Sequence, residues 1–468
     1  MFDKKKSTKE LSDNSSDDYE ANIQPATGIV EDAVFGELNE DGPNYRGLGK
    51  WGSLIIMTKA NLGLGVLALP SVFGVLGIVP GVICIVVVQS IIAYCSVVIG
   101  TFKLRHPTVY GLADAGGIFG GRIGKEFFYV VYTIFMVFII GSALVGLSTA
   151  LNAVSAHGAC TAIFIFVAAV AGFLVGSIRT LGKVSWIGWV GVVSIMSAIL
   201  ILTVAVGVQE RPPLAAQTGP WDKDLQIFGT PTFAGAMSAI NGIVFSYGGT
   251  PMYFGIVAEM KNPRLFGRMM AVSIFFLTVV YLIIGCVVYY YCGQYVASPA
   301  LGSAGTLLKK VCYGIAIPGL LASLTIFVHL CGKNVFVRIL AGSKHLTANS
   351  AVHWTTWLSC TFGSVMLGYI IASAIPIFGS LISFIGALIC PLVCILPYCV
   401  MWWHDHWRGK TTEERKRGWT TPLAILNLVI FVVGWFLLIA GTYGAVVDLI
   451  NTTVDNGPWT CADNSGSV

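Results

Sequence analysis

Polar positions dominate residues 1–50 and then withdraw into short gaps between long apolar runs. From Trp51 onward the runs are about 20 residues long, the length an α-helix needs to cross ~30 Å of hydrocarbon. They predict eleven spans, at 51–73, 77–101, 126–153, 160–178, 184–207, 232–258, 268–292, 311–332, 351–373, 376–403 and 420–447. The stretches 51–101 and 351–403 are each too long for one crossing. They divide at short connections, 75–80 and 374–376, that contain Gly or Pro. The chain is expected to be an all-α integral membrane protein in three parts. These are a disordered cytoplasmic tail over 1–50, an eleven-helix domain over 51–447 and a short extracytoplasmic tail over 448–468.

Composition sharpens this picture. Hydrophobic residues make up 55% of the 468 positions, charged ones only 11%, and mean hydropathy is +0.78. A soluble enzyme does not need that much apolar surface, and a disordered chain does not carry it. No apolar run of signal-peptide length precedes Trp51, so no cleaved leader is expected. Lysine and arginine set the orientation. With the N-terminus inside, 23 of the 28 fall in the tail or in cytoplasmic loops. Only Arg211, Lys223, Lys309 and Lys310 fall outside, and Lys59 falls within a span. An odd number of spans puts the C-terminus outside. Of twelve cysteines, Cys160, Cys292, Cys312 and Cys461 lie near the outer face, and their pairing stays open. Asn451 opens a glycosylation sequon on the same side.

Candidate chemistry is sparse. Ionisable residues inside spans are the default functional positions, and the pattern offers Lys59 in span 1, His329 near the inner end of span 8 and Glu259 at the inner end of span 6. No span holds a pair of carboxylates. The seven histidines show no metal-ligand spacing, and no Gly-rich lysine loop for a nucleotide is present. The chain is therefore expected to be no enzyme and to need neither cofactor nor metal. That leaves transport, sensing or a structural role in the membrane.

Two spans carry glycine clusters near mid-membrane, Gly63 and Gly65 in span 1 and Gly248 and Gly249 in span 6, with Pro70 and Pro251 following. Spans 1 and 6 each open a set of five. Gly- or Pro-interrupted helices at corresponding places in two halves point to a transporter site. Unwinding at membrane depth frees backbone N–H and C=O groups, which is tolerable only beside a cavity or a ligand. A freed helix N-terminus attracts an anion, and freed carbonyls attract an ammonium group.

Several segments are similar to those of the fungal amino acid/auxin permease family, within the amino acid–polyamine–organocation superfamily, and of its neutral amino acid permeases. They are Asp32-Ala-Val-Phe-Gly-Glu, Gly63-Leu-Gly-Val-Leu-Ala-Leu-Pro-Ser-Val-Phe-Gly-Val-Leu-Gly-Ile-Val-Pro-Gly, Tyr110-Gly-Leu-Ala-Asp-Ala-Gly, Phe245-Ser-Tyr-Gly-Gly-Thr-Pro and Ala258-Glu-Met-Lys-Asn-Pro. The resemblance covers nearly the whole chain from about residue 30. It implies eleven helices in a LeuT-type 5+5 inverted repeat, with helices 1 and 6 broken. It also implies secondary active, proton-coupled symport of neutral amino acids by alternating access. The partners it implies are the amino acid, a proton and the lipid bilayer, with no nucleic acid. The membrane expected is the plasma membrane, with the vacuolar membrane as the alternative. A sensor of the same fold and a channel for another small solute are the competing functions.

On this resemblance Asn61, Leu62, Gly63, Leu64 and Gly65 present backbone amides to the substrate carboxylate. Phe245, Ser246, Tyr247, Gly248 and Gly249 face it from span 6, and Phe245 or Tyr247 serves as a gate. Tyr132, Phe138 and Ser142 of span 3 are candidates for one wall. Lys59 stands about one turn before Gly63, where a fixed ammonium resembles a built-in replacement for sodium. Ser323 and Thr325 of span 8 are its expected partners, and His329 and Glu259 are the other coupling candidates.

Overall fold

The protein is described by a computed structural model covering residues 30–32, 36–38, 47–416, 418–452 and 457–466. The helices in chain order are α1 (Lys50–Asn61), α2 (Leu64–Leu76), α3 (Ile78–Arg105), α4 (Leu112–Ser155), α5 (Thr161–Gly176), α6 (Leu181–Val208), α7 (Phe233–Ser246) and α8 (Tyr253–Glu259). They continue with α9 (Phe266–Cys292), α10 (Thr306–Ile339), α11 (Ala351–Ala374), α12 (Phe378–Leu388), α13 (Cys390–Cys394), α14 (Leu396–His406), α15 (Thr412–Lys416) and α16 (Thr420–Thr452). Most of the expected tail lies outside the described residues. Within it, strands β1 (Val30–Asp32) and β2 (Gly36–Leu38) pair antiparallel.

Seven of these helices are long and apolar enough to cross a membrane, and two bent pairs, α1–α2 and α12 with α13–α14, bring the number to nine. The remaining expected crossings are short helices: α5 has 16 residues, and α7 and α8 are two short pieces. Helices α4 and α10 form the middle of the bundle. About 72% and 67% of their most apolar windows are buried, against 28% for α16. Large apolar side chains such as Phe275 on α9 and Ile439 on α16 stay exposed, as a lipid-facing rim requires.

Several expected ends move. Span 3 belongs to a 44-residue helix that starts at Leu112, and Gly121 alone breaks its helical dihedrals (φ 59°). Span 8 runs on past its expected end at 332 to Ile339, so Lys333 sits inside the helix and not in a loop. Span 10 is itself broken, by 51° between α12 and α13–α14. Pro391, at the start of α13, explains this bend, and Pro397 the separate interruption between α13 and α14, because a proline has no N–H for the helical ladder. The carbonyl that Pro397 leaves without a helical donor belongs to Val393, and the Tyr398 hydroxyl donates to it at 2.7 Å.

The last span also runs longer than expected, to Thr452. Beyond it, residues 457–466 turn back onto the bundle. Cys461 forms a disulfide with Cys160 at the start of α5, and Cys292 and Cys312 are buried free thiols. Trp459 N–H donates to Ser373 O (2.8 Å), Thr161 Oγ1 to Ala462 O (2.6 Å) and Lys309 Nζ to Ser465 O (2.6 Å) and Gly466 O (2.8 Å). Asn152 Nδ2 donates to Asn464 Oδ1 (2.8 Å). The tail thus joins the ends of α4, α5, α10 and α11 on one face, called here the disulfide face.

Replacing Tyr398 with Phe keeps the ring and strands the Val393 carbonyl. An unpaired buried acceptor costs about 1–3 kcal/mol. Tyr398→Phe should therefore lower the thermal midpoint of the detergent-purified protein by a few degrees, read by intrinsic fluorescence, and an unchanged midpoint would contradict this account of the interruption at Pro397.

Candidate functional site

The first break lies between α1 and α2, which meet at 41°. Leu62 is extended (φ −79°, ψ 99°) and Gly63 follows at the head of α2 with no side chain to cap it. What fixes glycine at position 63 is space. A Cβ there would sit 2.6 Å from Ser323 Oγ and 3.1 Å from Lys59 Nζ. Gly65 is tighter still, since its Cβ would meet the Cα of Ser246 at 2.6 Å. The second break runs from Ser246 to Thr250, where α7 ends, a 3-10 turn forms over Thr250–Met252 and α8 begins. A Cβ on Gly249 would strike the Asn61 amide at 2.8 Å. The two breaks are therefore in direct contact.

Side chains stitch them together. Asn61 Oδ1 accepts the Gly249 N–H at 2.9 Å, and Asn61 Nδ2 donates to the Tyr253 hydroxyl at 3.0 Å. The hydroxyl of Tyr281 on α9 lies 2.9 Å from both Asn61 O and Ser246 O, the last carbonyls of α1 and α7. Ser246 Oγ reaches Gly65 O (3.1 Å) and Gly242 O (2.8 Å). The Thr250 hydroxyl donates to Tyr247 O at 3.1 Å. In hydrocarbon these freed groups have no water to turn to, and each receives a protein partner.

Lys59 is fully buried in the last turn of α1. Its ammonium donates to Leu62 O at 2.8 Å and to Ser323 Oγ of α10 at 2.6 Å. The stem crosses α6 at Gly191, where a Cβ would meet Lys59 Cε at 2.7 Å. Just beyond, Ser194 of α6 inserts into the ladder of α10 after Pro318. Its hydroxyl donates to Ile315 O (2.6 Å) and accepts from Gly319 N–H (2.9 Å). The ammonium thus links a carbonyl at the first break to the central helix α10.

Other expected site residues are placed as follows. Thr325 gives its hydroxyl to Leu321 O of its own helix (2.8 Å). Ser142 likewise bonds Ile139 O (2.9 Å), and Tyr132 is buried with its ring centre 6.5 Å from that of Phe135. The α4 residue that approaches the second break is Phe135, 3.7 Å from where a Gly248 Cβ would stand. Phe138 packs on Phe384 with 5.8 Å between ring centres. Phe245 and Tyr247 are buried; the Tyr247 ring meets Tyr281 edge-on at 5.2 Å, and its hydroxyl bonds Thr278 at 3.3 Å. Leu62 and Leu64 are buried. His329 donates from Nδ1 to Ile178 O (2.6 Å) and meets Trp357 edge-on, with Nε2 buried and unbonded among the described residues.

Glu259 pairs with Lys333 at 2.6 Å, both side chains about 1% exposed. It does not pair with Lys261 or Arg264. The Leu181 N–H at the start of α6 also reaches it. Beside it Leu48 N–H donates to Glu259 O (3.1 Å) and Lys261 N–H to Leu48 O (2.9 Å), so the segment before α1 closes this face. The fold also brings His106, at the end of α3, to the neighbouring His404 and Asp405 of α14. Asp405 Oδ1 accepts from His106 Nε2 (3.0 Å) and His404 Nδ1 (3.1 Å), and three such groups could take a metal ion. Spacing of histidines along the chain does not reveal this.

A cavity of about 320 Å³ lies between the breaks and the disulfide face, reaching down to Ala68 and Gly242 and not to the break residues themselves. It is walled by α2, α7 and α12 and closed at one side by Asp448 of α16. A larger cavity of about 500 Å³ lies beside Asp114, Lys125 and Arg338, away from the breaks. Tyr281, Tyr253, Ser194 and Asp448 were not singled out from sequence; buried hydroxyls at helix breaks would have been the signal for the first two.

A helical bundle with two interrupted, touching helices at its centre is the architecture of a membrane transporter. Residues 46–447 match the family described as transmembrane amino acid transporter protein, and the chain belongs to that family. It is 34% identical over 442 residues to a protein named "Transmembrane transporter" from Gibberella moniliformis, covering 93% of this chain and 91% of that one. It is 30% identical over 459 residues to an "N amino acid transport system protein" from Neurospora crassa, covering 96% and 95%. Among solved structures it resembles Mhp1, a nucleobase-cation-symport-1 family transporter in a closed conformation with bromovinylhydantoin bound. The TM-score is 0.53 at 11% identity, covering 92% of this chain and all of the other. The fold is thus that of LeuT-like transporters, and the chain is a multi-pass membrane protein.

The glycine contacts yield a contrast. A Cβ on Gly63 meets the ends of two side chains, Ser323 and Lys59, whereas one on Gly65 meets backbone. Overpacking costs about 1–3 kcal/mol, and Gly65→Ala should fall at the upper end with Gly63→Ala nearer the lower. Ser323→Ala removes a partner of Lys59 at a cost of its own; measured against that single variant, adding Gly63→Ala should cost little more, whereas adding Gly65→Ala should cost its full loss. Thermal midpoints of the five purified variants, three single and two double, test this, and equal losses for the two glycines would refute it.

Proposed function

We propose that the protein is a secondary active importer of neutral amino acids, driven by protons and working by alternating access. Its eleven crossings comprise two inverted sets of five plus α16, with α1–α2 and α7–α8 as the first members of each set. Asn61, Leu62, Gly63, Leu64 and Gly65 offer the substrate carboxylate the uncapped head of α2. Phe245, Ser246, Tyr247, Gly248 and Gly249 offer carbonyls to its ammonium, and the buried rings of Phe245 and Tyr247 close over the side chain. Tyr132 and Ser142 line the wall from α4.

One observation carries the coupling scheme: a buried lysine ammonium held by Leu62 O and Ser323 Oγ. A fixed cation at the break does the work of a bound metal cation, tying the unwound carbonyl of α1 to α10. Loss of the proton releases that tie, and only a difference in affinity between two conformations moves the equilibrium between them. Ser323 is the direct partner, Thr325 flanks it, and Glu259 and His329 hold the inner face and α10 in register. The N-terminus lies in the cytoplasm, and the disulfide face is extracytoplasmic, where oxidised cysteines persist. The plasma membrane is the site of action.

Accumulation of labelled L-alanine in proteoliposomes carrying the full chain should require an inward proton gradient. It should be indifferent to replacing sodium by choline. Lys59→Met should insert normally and lose at least tenfold of the proton-driven accumulation. A Lys59→Met protein that still concentrates alanine with the same pH dependence would overturn the role of the lysine. Alanine binding without uptake by the wild type would instead identify a sensor.

A further inference from the structure

The cavity on the disulfide face is built with more chemistry than a passage needs. Its walls carry the hydroxyls of Ser71, Ser238, Ser298, Ser380 and Ser383, and among the described residues its one ionisable group is the half-buried carboxylate of Asp448. No lysine or arginine lines it among the described residues. Asp448 is held in place by Ser238 of α7 and Ser380 of α12. Ser238 in turn bonds Ser383 at 2.9 Å, so the carboxylate is anchored to a half-helix that ends at the second break and to the bent span 10. A single negative charge in a narrow cleft with low-dielectric walls focuses its field and gathers cations there.

Position separates this group from the site at the breaks. Ser238 precedes Ser246 by eight residues on α7, roughly 12 Å along a helix axis. That is too far for Asp448 to touch a small amino acid seated at the breaks. The cavity floor, at Ala68 and Gly242, lies one turn above Gly65 and Ser246.

We propose that this cavity is a reception site for the primary ammonium group of an incoming amino acid, held by Asp448 before the molecule descends to the breaks; it rests on the transport reading above. The order of charges is then set. The ammonium stays at Asp448 while the carboxylate leads toward the head of α2, whose uncapped end favours an anion. A substrate with a second carboxylate is repelled at the entrance, and a neutral or basic amino acid is admitted. Selection by charge thus begins before the side chain meets any wall.

A cysteine reporter tests this without relying on transport. In the full chain in membrane vesicles, Ser71→Cys should react at least tenfold faster with cationic aminoethyl methanethiosulfonate than with anionic sulfonatoethyl methanethiosulfonate, relative to a free thiol. L-Alanine should protect it. The parent chain without the reporter sets the background. Asp448→Asn should abolish the preference and Asp448→Glu should keep it. Should the Asn variant not fold, Ser298→Lys at the exposed rim should cancel the preference in its place. In uptake, Asp448→Asn should raise the KM for labelled L-alanine about tenfold, with a smaller change in kcat. An unchanged reagent preference in Asp448→Asn sinks the proposal, as does a lost preference with unchanged KM. Failure of the transport reading shows separately, as no alanine uptake and no alanine protection in the wild type, and it takes this proposal with it.

Discussion

Hydrocarbon gives a backbone amide or carbonyl nothing to bond with, and this constraint governs the centre of the molecule. Two helices are interrupted where no water supplies the missing partners. Their freed groups are bonded to each other through Asn61, Tyr281, Ser246 and Thr250. Lys59 takes the Leu62 carbonyl. Removing the side chain of Asn61, Tyr281, Thr250 or Lys59 leaves a group unpaired in a medium where that costs most. The same rule governs places far from the site. Tyr398 serves the carbonyl orphaned by Pro397, and Ser194 bridges a gap in the ladder beside Pro318.

Close packing follows from that need. Hydrogen bonds between backbones on different helices require the helices to approach, and small residues permit it. Gly65 lies against the Ser246 backbone, Gly249 against the Asn61 amide, and Gly191 against the stem of Lys59. The ammonium of Lys59 reaches α10 because α6 has no side chain in its way. Conformational change in such a packed centre proceeds by exchanging one set of partners for another, since groups left alone in transit raise the barrier.

Much of this was legible in the sequence, for physical reasons that differ from residue to residue. Gly63, Gly65, Gly248 and Gly249 stood out because pairs of glycines are rare reasons to weaken a crossing helix. Lys59 stood out because charge is expensive at that depth. Ser323 followed from the family resemblance, and the structure puts it on the lysine, while Thr325 bonds its own helix. Lys333 was placed in a loop because a charge ends an apolar window. Burial against Glu259 overrides that signal. Tyr281 and Tyr253 read as apolar filler, since a sequence shows the ring and not what the hydroxyl faces. The break in span 10 was hidden because prolines are common in membrane helices and mark no single outcome. Asp448 fell one residue past an expected helix end, where boundaries are least defined.

The bridge between Cys160 and Cys461 has a consequence for the making of the protein. One partner precedes α5 and the other follows α16, with 301 residues between them. The bond cannot close until the final helix has been threaded and its far end brought to the side of the membrane that holds Cys160. A chain stalled during synthesis, or inserted with one helix inverted, presents Cys160 with no counterpart on its own side of the membrane. Closure of the covalent ring is therefore a record of completed biogenesis, and an unpaired Cys160 is a chemical mark of a failed one.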